Sequence, residues 1–338
     1  MPSLVVQYRA EKPVGKGKHL MKLSVIGCGR WGTFLAWYLE RSGSEVTLYG
    51  RKGSKRMEQL LSTRSNGVTA LPPSVRLTQD LPTALQTDTL VISVGSQSLR
   101  GLLREIAPWA AGKLRLVLCM KGLETGTGKR LSTIVKEELG EGTPVAVWLG
   151  PGHVQEFTAG IPNCMVIDSE DEALKEELIS AFSSQLIRFY YGRDLIGNEI
   201  GGASKNVIGI AAGMLDGLGL SSLKGALMSR GTREIARLIQ AMGGSELSAY
   251  GLCHLGDYEA TVFSQYSHNR RYGEAFVRGE EYTELAEGCA TVKALVQLGE
   301  EQRVSLPICK AVDRVLYQGA SPRETLDGLF SRSLKQEF

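Results

Sequence analysis

The chain has 338 residues, of which 22% are charged, and its formal net charge at pH 7 is +3. This length predicts about two domains, each large enough to enclose a hydrophobic core. A charge so close to balance gives no sign of an acidic tail or of a surface for nucleic acid, so we expect no nucleic-acid partner.

The cysteines and the apolar stretches bear on compartment and membrane association. The chain has six scattered cysteines without a Cys-x-x-Cys pair, and four histidines. This pattern is typical of reduced, buried thiols in a cytoplasmic protein and argues against a structural metal site. No uninterrupted apolar run reaches the roughly 18 residues that a membrane helix requires, so we expect no integral membrane segment. Residues 1–20 lack the apolar core of a signal peptide and are interpreted as a disordered extension, an upstream start or an expression remnant.

The first strong pattern along the chain is a βαβ unit with a glycine-rich turn. An apolar strand over residues 23–26 leads into Gly27-Cys28-Gly29-Arg30-Trp31-Gly32, a helix over residues 33–40 and a second strand over residues 45–49. In this context Gly-x-Gly-x-x-Gly indicates a dinucleotide site. Gly27 allows the tight turn, Gly29 lets the pyrophosphate approach, and Gly32 lets helix and strand pack closely. The alternative is a glycine-rich turn in some other βαβ unit.

The residues after the second strand bear on the choice of dinucleotide. A carboxylate there would bind a ribose 2′-hydroxyl and favour NAD. Here the chain reads Gly50-Arg51-Lys52, with Lys55-Arg56 just beyond. Positive charge suits a 2′-phosphate, so NADP(H) is the preferred cofactor and NAD(H) is possible. The alternative is a solvated basic loop.

The rest of the first half continues to alternate between strands and helices. Strands are predicted over residues 89–94, 115–119, 144–149, 163–168 and 186–190, and helices over residues 99–106, 129–139 and 170–182. This alternation predicts a parallel, doubly wound, Rossmann-like sheet, whose ligands lie beyond the carboxyl ends of the strands. Ser96, Lys121 and Gly150 each follow a strand, so we expect them to line one crevice.

The second half has a different periodicity. Apolar residues recur at helical spacing, for example within residues 235–242, and no comparable strand pattern appears. The sequence therefore predicts a dinucleotide-binding domain over residues 21–196 and an all-helical domain over residues 197–338, without a long linker.

One predicted helix of the second half contains a lysine among small and apolar residues. Lys205 and Asn206 lie near the start of residues 201–219, which are otherwise mostly glycine, alanine and aliphatic. Such a lysine either extends its ammonium group to solvent or is a functional group with a lowered pKa. An enzyme that reduces a carbonyl needs a proton donor for the developing alkoxide, so Lys205 is a candidate catalytic residue.

Several blocks of the sequence occur together in one known family and in the same order. They are GCGRWGTFLA (27–36), KGLE (121–124), GP with IPN downstream (150–163), GGASKNVIGIAAGMLDGLGL (201–220), SRGTREIARL (229–238), GDYEATVFSQYSHNRRYG (256–273) and AEGCATVKAL (286–295). In these blocks the chain from Met21 onward resembles the bacterial NAD(P)-dependent sn-glycerol-3-phosphate dehydrogenases.

The resemblance implies a fold and a reaction. The fold is an α/β Rossmann-like doubly wound parallel sheet followed by an all-α C-terminal domain. The reaction is the reduction of dihydroxyacetone phosphate, a small phosphorylated three-carbon substrate, to sn-glycerol 3-phosphate for glycerophospholipid synthesis. A mainly helical second domain with apolar stripes would also suit a homodimer.

The resemblance further implies roles for individual residues. Lys205 would be the proton donor and acceptor, Lys121 would bridge cofactor and substrate, and Asp257 would hold the Lys205 ammonium. The substrate-binding set would be Lys121, Gly150, Lys205, Asn206, Asp257, Thr261, Ser267, His268, Asn269 and Arg270. The cofactor-binding set, which includes the glycines of the turn, would be Gly27, Gly29, Arg30, Trp31, Gly32, Arg51, Ser96, Lys121, Val154, Leu285 and Glu287.

The chain departs from the family pattern near the expected substrate phosphate. His268 stands where the family usually has arginine, and its charge depends on pH whereas an arginine is permanently charged. Gly152 replaces a usual serine or threonine, and Val154 replaces a usual alanine. The alternatives are that Arg270 or Arg271 reaches the phosphate, that the enzyme acts on a related hydroxy-phosphate or phosphonate, and that the protein binds a dinucleotide without catalysis.

Overall fold

An eight-stranded sheet forms the first part of the computed structural model, which describes residues 21–110 and 114–331. The strands are β1 (Lys22–Ile26), β2 (Glu45–Tyr49), β3 (Arg76–Thr78), β4 (Thr89–Ile92), β5 (Arg115–Leu118), β6 (Val145–Leu149), β7 (Asn163–Ser169) and β8 (Ile187–Tyr191). Their spatial order is β3-β2-β1-β4-β5-β6-β7-β8, and the first six follow the order of a dinucleotide-binding sheet. The prediction for residues 1–20 lies outside the described residues.

Helices cover both faces of this sheet. They are α1 (Arg30–Arg41), α2 (Lys55–Thr63), α3 (Leu81–Ala84), α4 (Leu99–Ile106), α5 (Leu131–Leu139), α6 (Val154–Thr158) and α7 (Glu172–Phe182). Val25 packs in one core with Phe34 of α1, and its neighbour Ile26 packs in another with Leu99 and Leu103 of α4. Because adjacent residues of a strand point to opposite faces, an apolar strand with both faces buried produces two cores. The predicted fold class is confirmed.

One strand runs against the predicted direction. β7 pairs antiparallel with β6, with Ala146 opposite Ser169, whereas β7 and β8 are parallel. The parallel sheet that the sequence predicts therefore contains one antiparallel pair, which the sequence did not indicate. A parallel return needs a crossover that spans the length of the strand. Helix α6 has five residues, which rise about 7.5 Å, against about 16 Å for the five residues of β6.

The basic segment after β2 is also more ordered than a loop. Helix α2 begins at Lys55, and the Ser54 side chain caps it by accepting a hydrogen bond from the Met57 backbone N–H. The start of α1 was likewise predicted three residues too late, since the helix begins at Arg30 within the glycine-rich turn.

The second part of the described chain is helical. Its α-helices are α8 (Leu195–Gly217), α9 (Lys224–Ala241), α10 (His268–Arg278), α11 (Glu287–Glu301), α12 (Pro307–Tyr317) and α13 (Pro322–Phe330). Three residues separate β8 from α8, and Asp194 caps the helix by accepting a hydrogen bond from the Gly197 N–H. Within residues 21–110 and 114–331, no helix is both long and apolar enough to cross a membrane.

Helix α8 is the centre of the helical part, and glycines let α10 pack directly against it. A Cβ added to Gly213 would lie 1.8 Å from the Arg270 carbonyl oxygen, and one added to Gly273 would lie 2.1 Å from the Ile210 carbonyl oxygen. Glycine at these positions permits backbone contact between the two helices. This contact fixes the start of α10, where Ser267, His268 and Asn269 lie, relative to Lys205.

Candidate active site

A cleft of about 630 Å³ opens between the carboxyl ends of the sheet strands and the helical part. The glycine-rich turn contributes Gly29, Arg30 and Trp31 to its wall, and the segments after β5 and β6 contribute Lys121 and Gly150. This is where ligands bind to doubly wound sheets. The helical part contributes Lys205, Asn206, Thr261, Ser267, His268, Asn269, Leu285 and Glu287.

The glycine-rich turn has the geometry that a dinucleotide requires. Gly27 has a φ of +114°, and an added Cβ would lie 2.2 Å from the Ser93 carbonyl oxygen. At Gly32 it would lie 1.9 Å from the Gly27 carbonyl oxygen. At Gly29 the nearest atom would be Arg56 Nη1 at 3.7 Å, so the backbone there is open to the cleft. These residues fit a bound pyrophosphate at the start of α1.

Two lysines from different parts of the chain share one carboxylate. Lys205 Nζ lies 2.7 Å and Lys121 Nζ lies 2.6 Å from Asp257 Oδ2. Lys121 also donates to the Gly150 carbonyl at 2.7 Å, and Lys205 donates to Thr261 Oγ1 at 2.7 Å. The Thr261 hydroxyl in turn donates to the Asp257 carbonyl at 2.7 Å. The network thus holds both ammonium groups at fixed positions.

The environment of Lys205 makes its proton labile. Burial lowers the pKa of this ammonium from its usual 10.5 to about 7, the Asp257 carboxylate opposes that change, and the nearby Lys121 ammonium reinforces it. A group with a pKa near the working pH both donates and accepts protons efficiently. Of the two possibilities that the sequence left open, the structure shows the buried one, since only 7% of Lys205 is exposed.

Two buried polar atoms beside this network have no hydrogen-bond partner among the described residues. They are Asp257 Oδ1 and His153 Nε2. An unpaired buried polar atom costs about 1–3 kcal/mol, so each one calls for a reason such as a catalytic role. Burial lowers the pKa of His153, which favours the neutral ring. No sequence pattern marks His153 as a site residue, although it follows the Gly150-Pro151-Gly152 turn directly.

Hydrogen bonds made by polar side chains connect the walls of the cleft. Asn269 donates to Asn206 Oδ1 at 3.0 Å and accepts from the Gly288 N–H at 2.9 Å. Glu287 accepts a hydrogen bond of 2.6 Å from the Ser96 hydroxyl, which follows β4. These bonds connect α8, α10 and α11 to one another and to the sheet.

His268 contacts residues from both parts of the chain. Its Nε2 lies 3.3 Å from Arg30 Nη1, and its Nδ1 lies 2.7 Å from the Tyr282 hydroxyl. Ser267 precedes it as the cap of α10. Tyr282 carried no local sequence signal, because its role depends on a contact with a residue 14 positions away.

The structure does not bring every predicted residue to the cleft. The Arg270 guanidinium pairs with Asp216 at 2.7 Å and Glu274 at 3.0 Å, so the expectation that it reaches the substrate phosphate is not met. Arg271 lies over the Tyr282 ring at 5.5 Å. Five other predicted residues do not line the cleft: Gly27, Gly32, Arg51, Ser96 and Asp257. From the basic segment, Arg56 lines the cleft and Arg51 does not.

Comparison with known proteins agrees with this arrangement. The N-terminal and C-terminal models of NAD-dependent glycerol-3-phosphate dehydrogenase match residues 22–175 and 194–327. The NAD(P)+ glycerol-3-phosphate dehydrogenase of Thermotoga sp. is 38% identical over 328 residues, covering 94% of this chain and 99% of that protein. That of Desulfitobacterium hafniense is 38% identical over 331 residues, covering 94% of each.

A solved structure shows the same similarity. The glycerol-3-phosphate dehydrogenase of Coxiella burnetii superimposes with a TM-score of 0.87 at 29% identity, covering 93% of this chain and 99% of that one. Because the family models and these relatives span both the sheet and the helical part, the chain belongs to the NAD-dependent glycerol-3-phosphate dehydrogenase family of oxidoreductases.

Proposed function

We propose that the protein reduces dihydroxyacetone phosphate to sn-glycerol 3-phosphate with a nicotinamide dinucleotide. The observation that carries this proposal is the pair of ammonium groups at Lys205 and Lys121 on one buried carboxylate, in a cleft bordered by the glycine-rich turn. A reduced nicotinamide supplies the hydride in reactions of this class. The chain itself has to position the ketone and supply a proton.

Lys205 is the proposed source of that proton. Its ammonium would donate to the carbonyl oxygen as negative charge develops there, and Lys121 would stabilise the same oxygen from the other side of Asp257. Asp257 would hold both cations in place through Oδ2. Asp257 is buried and does not line the cleft, so it would act on the substrate through these two lysines.

The pH dependence of the reaction is expected to follow the Lys205 ammonium. Reduction needs the protonated lysine, so kcat/KM for reduction should fall about tenfold per pH unit above a pKa near 7. Oxidation of glycerol 3-phosphate needs the neutral amine, so its rate should rise with pH up to the same pKa. Asp257→Asn should move both transitions to lower pH, because it removes the charge that favours the ammonium. Profiles in both directions test this, and a midpoint unaffected by Asp257→Asn would contradict it.

We propose that NADP(H) is preferred over NAD(H), with the backbone of Gly29, Arg30 and Trp31 holding the pyrophosphate side of the dinucleotide. Val154, Leu285 and Glu287 would contact the nicotinamide side, with Ser96 behind Glu287. The 2′-phosphate would be recognised by the basic residues that follow β2. Arg56 lines the cleft beside Gly29, which makes it a stronger candidate than Arg51.

Arg56→Ala should therefore raise KM for NADPH about tenfold and leave KM for NADH nearly unchanged, because a charge-assisted hydrogen bond to phosphate is worth about 1.5 kcal/mol or more. Arg51→Ala is the matched control and should have the smaller effect. Steady-state measurements with both cofactors decide between them. A larger effect at Arg51 than at Arg56 would mean that Arg51 binds the 2′-phosphate.

A second candidate function keeps the chemistry and changes the substrate to a related hydroxy-phosphate or phosphonate. It is favoured by His268, which provides a pH-dependent charge at the cleft, and by Gly152. The latter has a φ of +138°, and an added Cβ would lie 2.3 Å from the Phe157 ring, so this chain excludes a larger residue there. Values of kcat/KM for a substrate panel separate the two functions, since a competitor better than dihydroxyacetone phosphate would favour the second.

We place the reaction in the cytoplasm, where its product would enter glycerophospholipid synthesis, and we propose a homodimer as the working form. The free thiols of the described cysteines support the reducing compartment. Sedimentation of the purified protein tests the oligomeric state.

A further inference from the structure

The contact between Arg30 and His268 defines the protonation state of the histidine ring. A guanidinium group has only donors, so Arg30 Nη1 must donate to His268 Nε2, at 3.3 Å. Nε2 is therefore unprotonated, and the ring is neutral with its proton on Nδ1. That N–H donates to the Tyr282 hydroxyl at 2.7 Å.

The surroundings of this pair are mainly cationic. Arg30 from α1, Arg56 from α2 and Arg271 from α10 all act on His268, against one carboxylate, Glu284. Within residues 21–110 and 114–331, Arg30 has no carboxylate within ion-pair distance. Burial, followed by the Arg30 charge, lowers the pKa of His268. An Arg–His contact without a counter-ion on the wall of a cleft is a place where an anion would be stabilised.

We propose that the phosphate of the three-carbon substrate inserts between Arg30 and His268, and that His268 takes up one proton from solvent as the substrate binds. This inference rests on the proposed function. The Arg30 guanidinium moves its hydrogen bond from Nε2 to a phosphate oxygen. Nε2, freed from Arg30, gains a proton and donates to the same phosphate, while Nδ1–H stays on Tyr282.

The position of His268 favours the substrate phosphate over the cofactor pyrophosphate. His268 follows Ser267 and precedes Asn269, and Asn269 donates to Asn206, the neighbour of Lys205. The histidine therefore lies on the wall that carries the proton donor. Arg30 comes from the sheet and His268 from the helical part, so a phosphate between them would hold the two sides of the cleft together.

Proton uptake has a measurable consequence for affinity. A phosphate dianion beside an imidazole raises the pKa of the ring, so the bound state carries a proton that the free state lacks. Affinity for dihydroxyacetone phosphate should then fall as pH rises above the pKa of free His268, by up to about tenfold per unit. An arginine at this position is charged throughout and gives no such dependence.

Calorimetric titration measures the proton directly. Dihydroxyacetone phosphate is titrated into the enzyme–NADP+ complex at pH 7.5, in buffers with different enthalpies of ionisation, for wild type and His268→Arg. Lys205 and the substrate's own phosphate contribute equally to both proteins, so the difference isolates position 268. We expect wild type to take up nearly one proton more than the variant, and Arg30→Gln to weaken substrate binding about tenfold.

Three outcomes overturn the inference. If wild type is active and takes up as many protons as His268→Arg, the inference is overturned while the proposed function stands. If the difference in proton uptake already appears when NADP+ binds without substrate, the site belongs to the cofactor and the inference is likewise overturned. Failure of the wild type to reduce dihydroxyacetone phosphate overturns the proposed function as well. If His268→Arg does not bind NADPH, which would indicate that it is misfolded, His268→Gln is used in its place. Glutamine keeps a hydrogen-bond donor but does not titrate.

Discussion

Replacing Lys205 with alanine is expected to lower kcat for the reduction of dihydroxyacetone phosphate by about 10²–10⁴-fold, the usual contribution of a positioned acid or base. The affinity for NADPH should change little, because the lysine bonds to Asp257 and Thr261 on the far side of the cleft from the glycine-rich turn. Single-turnover rates measure the chemical step, and fluorescence titration measures the affinity for NADPH.

Lys224→Ala is the matched control for this variant. Lys224 is also a buried lysine paired with an aspartate, Asp216, at 2.6 Å, but it does not line the cleft. Lys224→Ala should lower the free energy of unfolding and leave kcat near the wild-type value. Turnover within a few-fold of wild type in Lys205→Ala, or an equal loss in both variants, would refute the proposed acid–base role.

Gly213→Ala is expected to destabilise the protein by about 3 kcal/mol, at the upper end of the usual overpacking cost. The added methyl group would lie 1.8 Å from the Arg270 carbonyl oxygen and 2.8 Å from the Glu274 nitrogen. Both are backbone atoms, so α10 as a whole has to move. Because His268 and Asn269 lie at the start of α10, KM for the substrate should rise as well.

Gly225→Ala, in α9, is the control for Gly213→Ala. A Cβ at Gly225 would meet no atom within 4 Å, so alanine there should stabilise the helix by up to about 1 kcal/mol through its higher helix propensity. Urea denaturation gives both changes in the free energy of unfolding. Similar values for the two variants would mean that α10 tolerates displacement from α8.

The elements with strong local patterns could be predicted from the sequence. Apolar strands, glycines at the turn after β1 and helical spacing after residue 197 are properties of neighbouring residues, and they predicted the fold class. The lysine in an otherwise apolar helix could likewise be identified as a candidate functional residue from the sequence, because few environments tolerate a buried ammonium group. The family resemblance added Asp257 and Lys121, whose contacts with one another no local pattern indicates.

By itself, then, the sequence determined the alternation of strands and helices, the glycine-rich turn and the presence of one lysine in an otherwise apolar helix, because each depends on residues close together in the chain. The tertiary structure decided the direction of β7, the ion pairs that hold Arg270 away from the cleft, and the meeting of Arg30 with His268 across 238 positions. These depend on the length of a connection and on how closely two helices pack, and both are fixed when distant segments meet in the folded protein.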